Sequence, residues 1–126
     1  MPQASYGQLY QSLLNNVVEV NFVRRRPLPG IGPVRRMLCT NNSMLLNSPN
    51  GRIVLNYHTP HKALNYNPAQ KNLIITWDIL MQDFRNISLD DCEILREFPP
   101  TDEFWNFFNE TIFPMSTQQK IAYMQA

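Results

Sequence analysis

Hydrophobic and polar positions change period twice along the chain. Tyr6, Leu9, Tyr10 and Leu13 fall at i, i+3, i+4 and i+7, the stripe of an amphipathic helix, with Ser5 placed to cap it and Asn15-Asn16 to end it. From Val17 the period drops to two. Val18, Val20 and Phe22 alternate with Glu19, Asn21 and Val23, as one face of a half-buried strand requires. Pro27, Pro29 and Pro33 exclude helix and central strand from residues 26–33, which predicts a loop at a hairpin tip. Val34 to Thr40 reads as the return strand.

Shorter alternating runs follow. Asn41 to Ser43 reads as a turn, Met44 to Leu46 as a short apolar stretch, Pro49-Asn50-Gly51 as a turn, and Ile53 to Tyr57 as a strand. Residues 58–72 read as a long surface loop. Leu73 to Asp78, Asp83 to Ile87 and Cys92 to Arg96 read as three more strands, and five or six short strands at this spacing predict a small barrel or sandwich. After Pro99-Pro100 the period returns to helical. Thr101 is placed to cap a helix with Asp102 and Glu103 in its first turn, where acids suit the dipole. Phe104, Trp105, Phe108 and Ile112 share one face, with Phe107 beside it, until Pro114 stops the helix. Ser116 to Gln119 has capping-box form and opens a last helix carrying Ile121 and Met124. The expected architecture is one domain over 1–126, mainly β with flanking helices (α+β). It comprises an N-terminal helix over 1–16, a small β-barrel or sandwich over 17–98 and a C-terminal helical segment over 101–126.

Composition adds a core, and charge adds a direction. At 126 residues, 44% of them hydrophobic, the chain can bury a compact interior. No apolar run approaches the ~20 residues that span a bilayer, and Met1-Pro2-Gln3 opens no secretory signal, so a soluble, cytoplasmic protein without membrane contact is expected. Cys39 and Cys92 have no CxxC partner and read as reduced, half-buried thiols. Residues 1–76 carry eight basic side chains and one acid, whereas residues 77–126 carry three and nine. The near-zero total therefore conceals about +7 against −6, a polarity suited to steering a charged partner. Nothing in the pattern specifies an oligomeric state.

The basic half supplies the first candidate site. In a hairpin, Arg24, Arg25 and Arg26 enter the tip and Arg35 and Arg36 leave it, and guanidinium forks suit phosphate or carboxylate. Tyr57, Tyr66 and Trp77 are candidate stacking surfaces. Nucleic acid, an acidic protein surface, or internal pairing with the chain's own acids are the three uses of such a cluster. A second candidate surface comprises Trp105, Phe107 and Glu103, although a C-terminal aromatic stripe more often docks on its own domain. His58-Thr59-Pro60-His61 lacks a third ligand for a metal, and no nucleophile elbow, HExxH or phosphate loop accompanies His58, His61 and Asp78. No cofactor and no catalytic residue is expected.

Four short strings carry a family likeness: Val18-Glu19-Val20-Asn21-Phe22, Arg36-Met37-Leu38-Cys39-Thr40, Ile75-Thr76-Trp77-Asp78 and Phe84-Arg85-Asn86-Ile87. Together, over residues 17–89, they resemble small T4-like tailed-phage proteins with an SH3-like β-barrel fold, mostly of unknown function. The resemblance implies a barrel and a bacteriophage setting in the host cytoplasm, and it supplies no catalytic or ligand residues. The expectation is therefore a non-enzymatic phage accessory or regulatory protein. It would contact nucleic acid, or a nucleic-acid-associated host factor, through the basic hairpin. The alternatives are an inhibitor of a host enzyme or defence system acting by direct protein binding, and a minor virion component.

Overall fold

The computed structural model describes residues 3–25, 32–60 and 67–125. Helix α1 (Tyr6–Asn15) starts where its sequence says it should: the Ser5 hydroxyl accepts from the Gln8 amide, and the Gln8 side chain accepts from the Ser5 amide. Strands β1 (Val17–Val23) and β2 (Val34–Thr40) pair antiparallel over their full length, from Val17 opposite Thr40 to Val23 opposite Val34. Strands β3 (Leu73–Asp78) and β4 (Asp83–Ser88) form a second full-length hairpin. The two hairpins join through only two residue pairs, Cys39 with Asp78 and Thr40 with Trp77. Strand β5 (Cys92–Phe98) adds to the other side of β1, with a bulge between Glu19 and Val20.

The antiparallel sheet thus runs β4-β3-β2-β1-β5. A flat sheet would hold β4 and β1 on the order of 14 Å apart, three strand spacings. They are nevertheless in contact, so the sheet curls. A single 3₁₀ turn, Leu89–Asp91, carries the chain from one edge strand to the other. The expected closed barrel is not what forms. Strands β4 and β5, the two edges, share no ladder among the described residues.

Both faces of the sheet are covered. On one, Leu9 and Leu13 of α1 pack on Val18, Val20, Phe22, Met37, Ile74 and Ile87. The other face carries Val17, Leu38 and Trp77 against two short helices, α2 (Ser43–Leu46) and α3 (Pro49–Ile53), and against the C-terminal helices. Two sequence expectations are corrected here. Met44 to Leu46, read only as a short apolar stretch, is helical and capped by Asn42; Pro49–Ile53 forms α3 where a turn was expected, and Val54 to Tyr57 is irregular where a strand was expected. Ser48 caps α3 and Pro49 occupies its first turn, so residues that read as a turn are equally a helix start. Gly51 is required by packing rather than by its dihedral angles: a Cβ there would lie 2.1 Å from the Leu45 carbonyl oxygen.

At the C-terminal end, α4 (Asp102–Phe107) runs into a π-helical turn over Phe108–Ile112, and α5 (Thr117–Gln125) follows. Thr101 sits at the N-cap of α4 without a side-chain bond, a correction to its expected capping role, whereas Ser116 and Gln119 do form their reciprocal box. Both cysteines are free and fully buried rather than half-buried, and burial pushes both thiols well above their ordinary range.

One buried acid ties α5 to the sheet. Glu19 is covered, accepts two bonds from Arg96 at 3.1 and 3.0 Å, and accepts a third from the Tyr123 hydroxyl. Burial alone pushes the Glu19 carboxyl up, but the Arg96 and Tyr123 hydrogen bonds and the charges of Arg96 and Arg36 outweigh it. Its pKa consequently lies below the ordinary value. A depressed folded-state pKa contributes stability above the ordinary carboxylate range and loses it as pH falls through the folded value. Glu19→Gln is expected to cost roughly 1–2 kcal/mol at neutral pH, discounted because Arg96 is half exposed, with the cost shrinking in acid. Urea unfolding of both proteins at neutral and acid pH checks the magnitude and the sign.

Candidate anion-binding cleft

Strand alternation decides where the arginines go. Arg35 and Arg36 are neighbours on β2, so their side chains leave opposite faces of the sheet. The Arg36 guanidinium lies 4.2 Å from the Tyr123 ring centroid and donates through Nε to the Tyr123 carbonyl at 2.9 Å. It holds α5. Arg35 instead donates to the Asp78 carboxylate at 2.5 Å, and both groups are largely buried.

Beyond β1, Arg24 turns back across the hairpin and donates to the carbonyls of Gly32 at 2.7 Å and Val34 at 3.3 Å. Arg25 reaches the other hairpin, donating through Nε to Asp90 at 2.8 Å and to the Ser88 hydroxyl at 3.2 Å. Asp90 is itself set by Ser88 and Asn72, the latter in the left-handed conformation at φ 55°. Thus the tip end of the β1–β2 hairpin is bridged to the open end of the β3–β4 hairpin. Between them lies a cleft of about 560 Å³ lined by Arg24, Arg25, Arg35 and Lys71, with Phe22, Leu73, Asn86 and Ser88.

The electrostatics of the cleft favour an anion. Arg25 and Arg35 have carboxylate partners, Asp90 and Asp78. Arg24 has only carbonyl partners among the described residues, so its charge lacks a counter-ion there. Burial, then the like charge of Arg35, pulls the Arg24 guanidinium below its ordinary value, and it stays charged at any working pH. Arg35 Nε is also buried without a hydrogen-bond partner among the described residues. An anion placed in the cleft would relieve the repulsion between Arg24 and Arg35.

Of the residues singled out by sequence, Arg24, Arg25 and Arg35 therefore converge, while Arg36 lies on the other face. Arg26 and Tyr66 fall outside the described residues, as does His61. Tyr57 packs edge-on against Trp77 and Phe84, with ring centroids 5.2 and 6.1 Å apart, rather than lining the cleft. Phe107 stacks on Phe98 at 4.5 Å beneath Arg96, and Trp105 meets Phe104 and Phe108 edge-on, while Glu103 is exposed. That aromatic stripe is largely spent on the protein's own core. Lys71 and Ser88, with Phe22, Leu73 and Asn86, are the cleft residues that sequence reasoning missed. Lys71 stands in a 3₁₀ turn, Pro68–Lys71, within what read as a long loop, and only its charge hinted at a role.

Among the described residues, no three His, Cys, Asp or Glu side chains group as a metal site requires, and no helix is long and apolar enough to cross a membrane. Comparison with protein-family models, curated proteins and solved structures finds no match to the chain.

Proposed function

We propose that the chain is a non-enzymatic binding protein whose cleft takes phosphate groups of nucleic acid, acting in the cytoplasm as an accessory or regulatory factor. The reading includes a phage origin, supported by the resemblance of the strand strings over residues 17–89, and a partly opened SH3-like barrel is the fold reading that accompanies it. The strand order and the single 3₁₀ turn joining the two edge strands support that fold reading. One observation carries the function. Four cationic side chains from three segments surround one concave volume, and Arg24 among them lacks a carboxylate partner within the described residues.

Salt titration tests this reading quantitatively. Each neutralised phosphate contributes about −0.7 to −0.9 to the slope of log K against log salt. Two or three contacts in the cleft predict a slope of roughly −1.4 to −2.7, shallower than the roughly −3.5 to −4.5 of five converging guanidiniums. Arg24→Ala is expected to reduce the slope by about one phosphate's share, and Arg36→Gln to leave it unchanged, since Arg36 lies on the far face. Fluorescence anisotropy with a labelled single-stranded oligonucleotide measures all three. Absence of binding at roughly 20 mM salt, or equal loss in both variants, overturns the reading.

A further inference from the structure

The shape of the cleft says more than its charge. A duplex is a convex rod with about one phosphate charge per 1.7 Å of axis, and it is met by cations spread over a flat or ridged surface. Here the cations do the opposite. Arg24 and Arg25 follow β1, Arg35 stands on β2, and Lys71 comes from the 3₁₀ turn before β3, yet all line one concavity of about 560 Å³. That volume lies within the roughly 300–1,000 Å³ range of small-ligand pockets and suits a single nucleotide rather than a helix. Phe22 and Leu73 add an apolar lining beside the charges, as a sugar or base requires next to its phosphate.

An internal phosphodiester offers such a ring of donors one charge, and its chain continues on both sides. A terminal phosphomonoester offers about −1.5 to −2 charge and three acceptor oxygens, and it can be surrounded. Arg24, with only carbonyl partners among the described residues, is the donor placed to use those extra oxygens, with Arg25, Arg35 and Lys71 around the same concavity. We infer that the cleft is a terminal-phosphate site: it takes a phosphomonoester carried by a single nucleotide or by the end of a single strand. This inference rests on the phosphate-binding function proposed above and narrows it to one chemical group.

The test uses the full chain and one single-stranded oligonucleotide prepared in three forms: with a 5′-phosphate, with a 3′-phosphate, and with hydroxyls at both ends. A phosphorylated form is expected to bind about tenfold tighter than the hydroxyl-ended form, with Arg24→Ala abolishing the difference. Competition by a nucleoside monophosphate at a concentration where inorganic phosphate does not compete assigns the site to a free nucleotide. Competition by neither assigns it to a strand end. If all three oligonucleotides bind equally and depend on Arg24, the terminal-phosphate inference fails while the phosphate-binding function stands. If none binds, both fail.

Discussion

Trp77→Ala is expected to remove about 3–5 kcal/mol, a large part of the 5–15 kcal/mol that holds a domain of this size together. Trp77 heads the fully buried side chains, and it meets Tyr57, His58 and Phe84 edge-on with ring centroids 5.0 to 5.2 Å away for His58, Tyr57 and Phe84 alike. Its indole Nε1 donates to the Leu55 carbonyl at 3.3 Å, so the same side chain fixes the segment that follows α3. It also stands at the thinnest part of the sheet, since Thr40 with Trp77 is one of the two pairs joining the hairpins. An alanine there leaves a cavity at a junction that has little backbone pairing to fall back on. Thermal unfolding followed by circular dichroism should show the midpoint falling by about 10–20 °C. A fall below about 5 °C would mean that the hairpins are held together by something other than this aromatic cluster.

Much of that framework was legible from residue order. The β1–β2 and β3–β4 hairpins, α1 with its capping box, and the C-terminal aromatic helix all follow local rules of period and capping, and each lies close to where those rules put it. Residues 43–57 misled for a physical reason: a short apolar run flanked by Pro and Gly suits a strand and a short packed helix equally. Here tertiary packing of α3 against α2, with Gly51 pressed on the Leu45 and Leu46 carbonyls, decides in favour of helix.

The candidate site was legible as charge but not as geometry. A count of arginines near a hairpin tip cannot show that Arg35 and Arg36 part company, although strand alternation demands it. Nor does the count reveal which acids are internal partners. The division between a basic first half and an acidic second half turns out to be partly self-directed: Arg25 meets Asp90, Arg35 meets Asp78, and Arg96 from the acidic half meets Glu19 from the basic one. Within the cleft, what the pairing leaves over is Arg24. A long-range polarity across the molecule is not needed to explain an anion site.

Asp78→Ala should cost about as much as the tryptophan substitution, for an electrostatic reason. One carboxylate oxygen of Asp78 accepts from the amides of Leu80 at 3.0 Å and Met81 at 3.1 Å, setting the turn into β4, where Gln82 adopts φ 55°. The other oxygen receives Arg35. Alanine strands all three donors and leaves a mostly buried guanidinium without its counter-charge, which typically costs about 3–5 kcal/mol. Asp78→Asn keeps the acceptor for the turn and isolates the charge. Burial raises the Asp78 carboxyl above its ordinary value, with the Met81 amide and Arg35 pulling it only part of the way back. A raised folded-state pKa contributes stability that is complete below the ordinary carboxylate value and lost as pH rises through the folded one. The asparagine variant should therefore cost less at neutral pH than in acid, opposite in sign to Glu19→Gln. Replacing both partners, Arg35→Met with Asp78→Leu, should recover the part of the loss that comes from the stranded guanidinium, while the Leu80 and Met81 amides stay without their acceptor. Part of the stability would then return while phosphate binding weakens, separating what Arg35 does for the fold from what it does in the cleft. If the single Asp78→Ala variant loses less than about 1 kcal/mol, Arg35 is reaching water, and the cleft does not hold its cation where an anion would meet it.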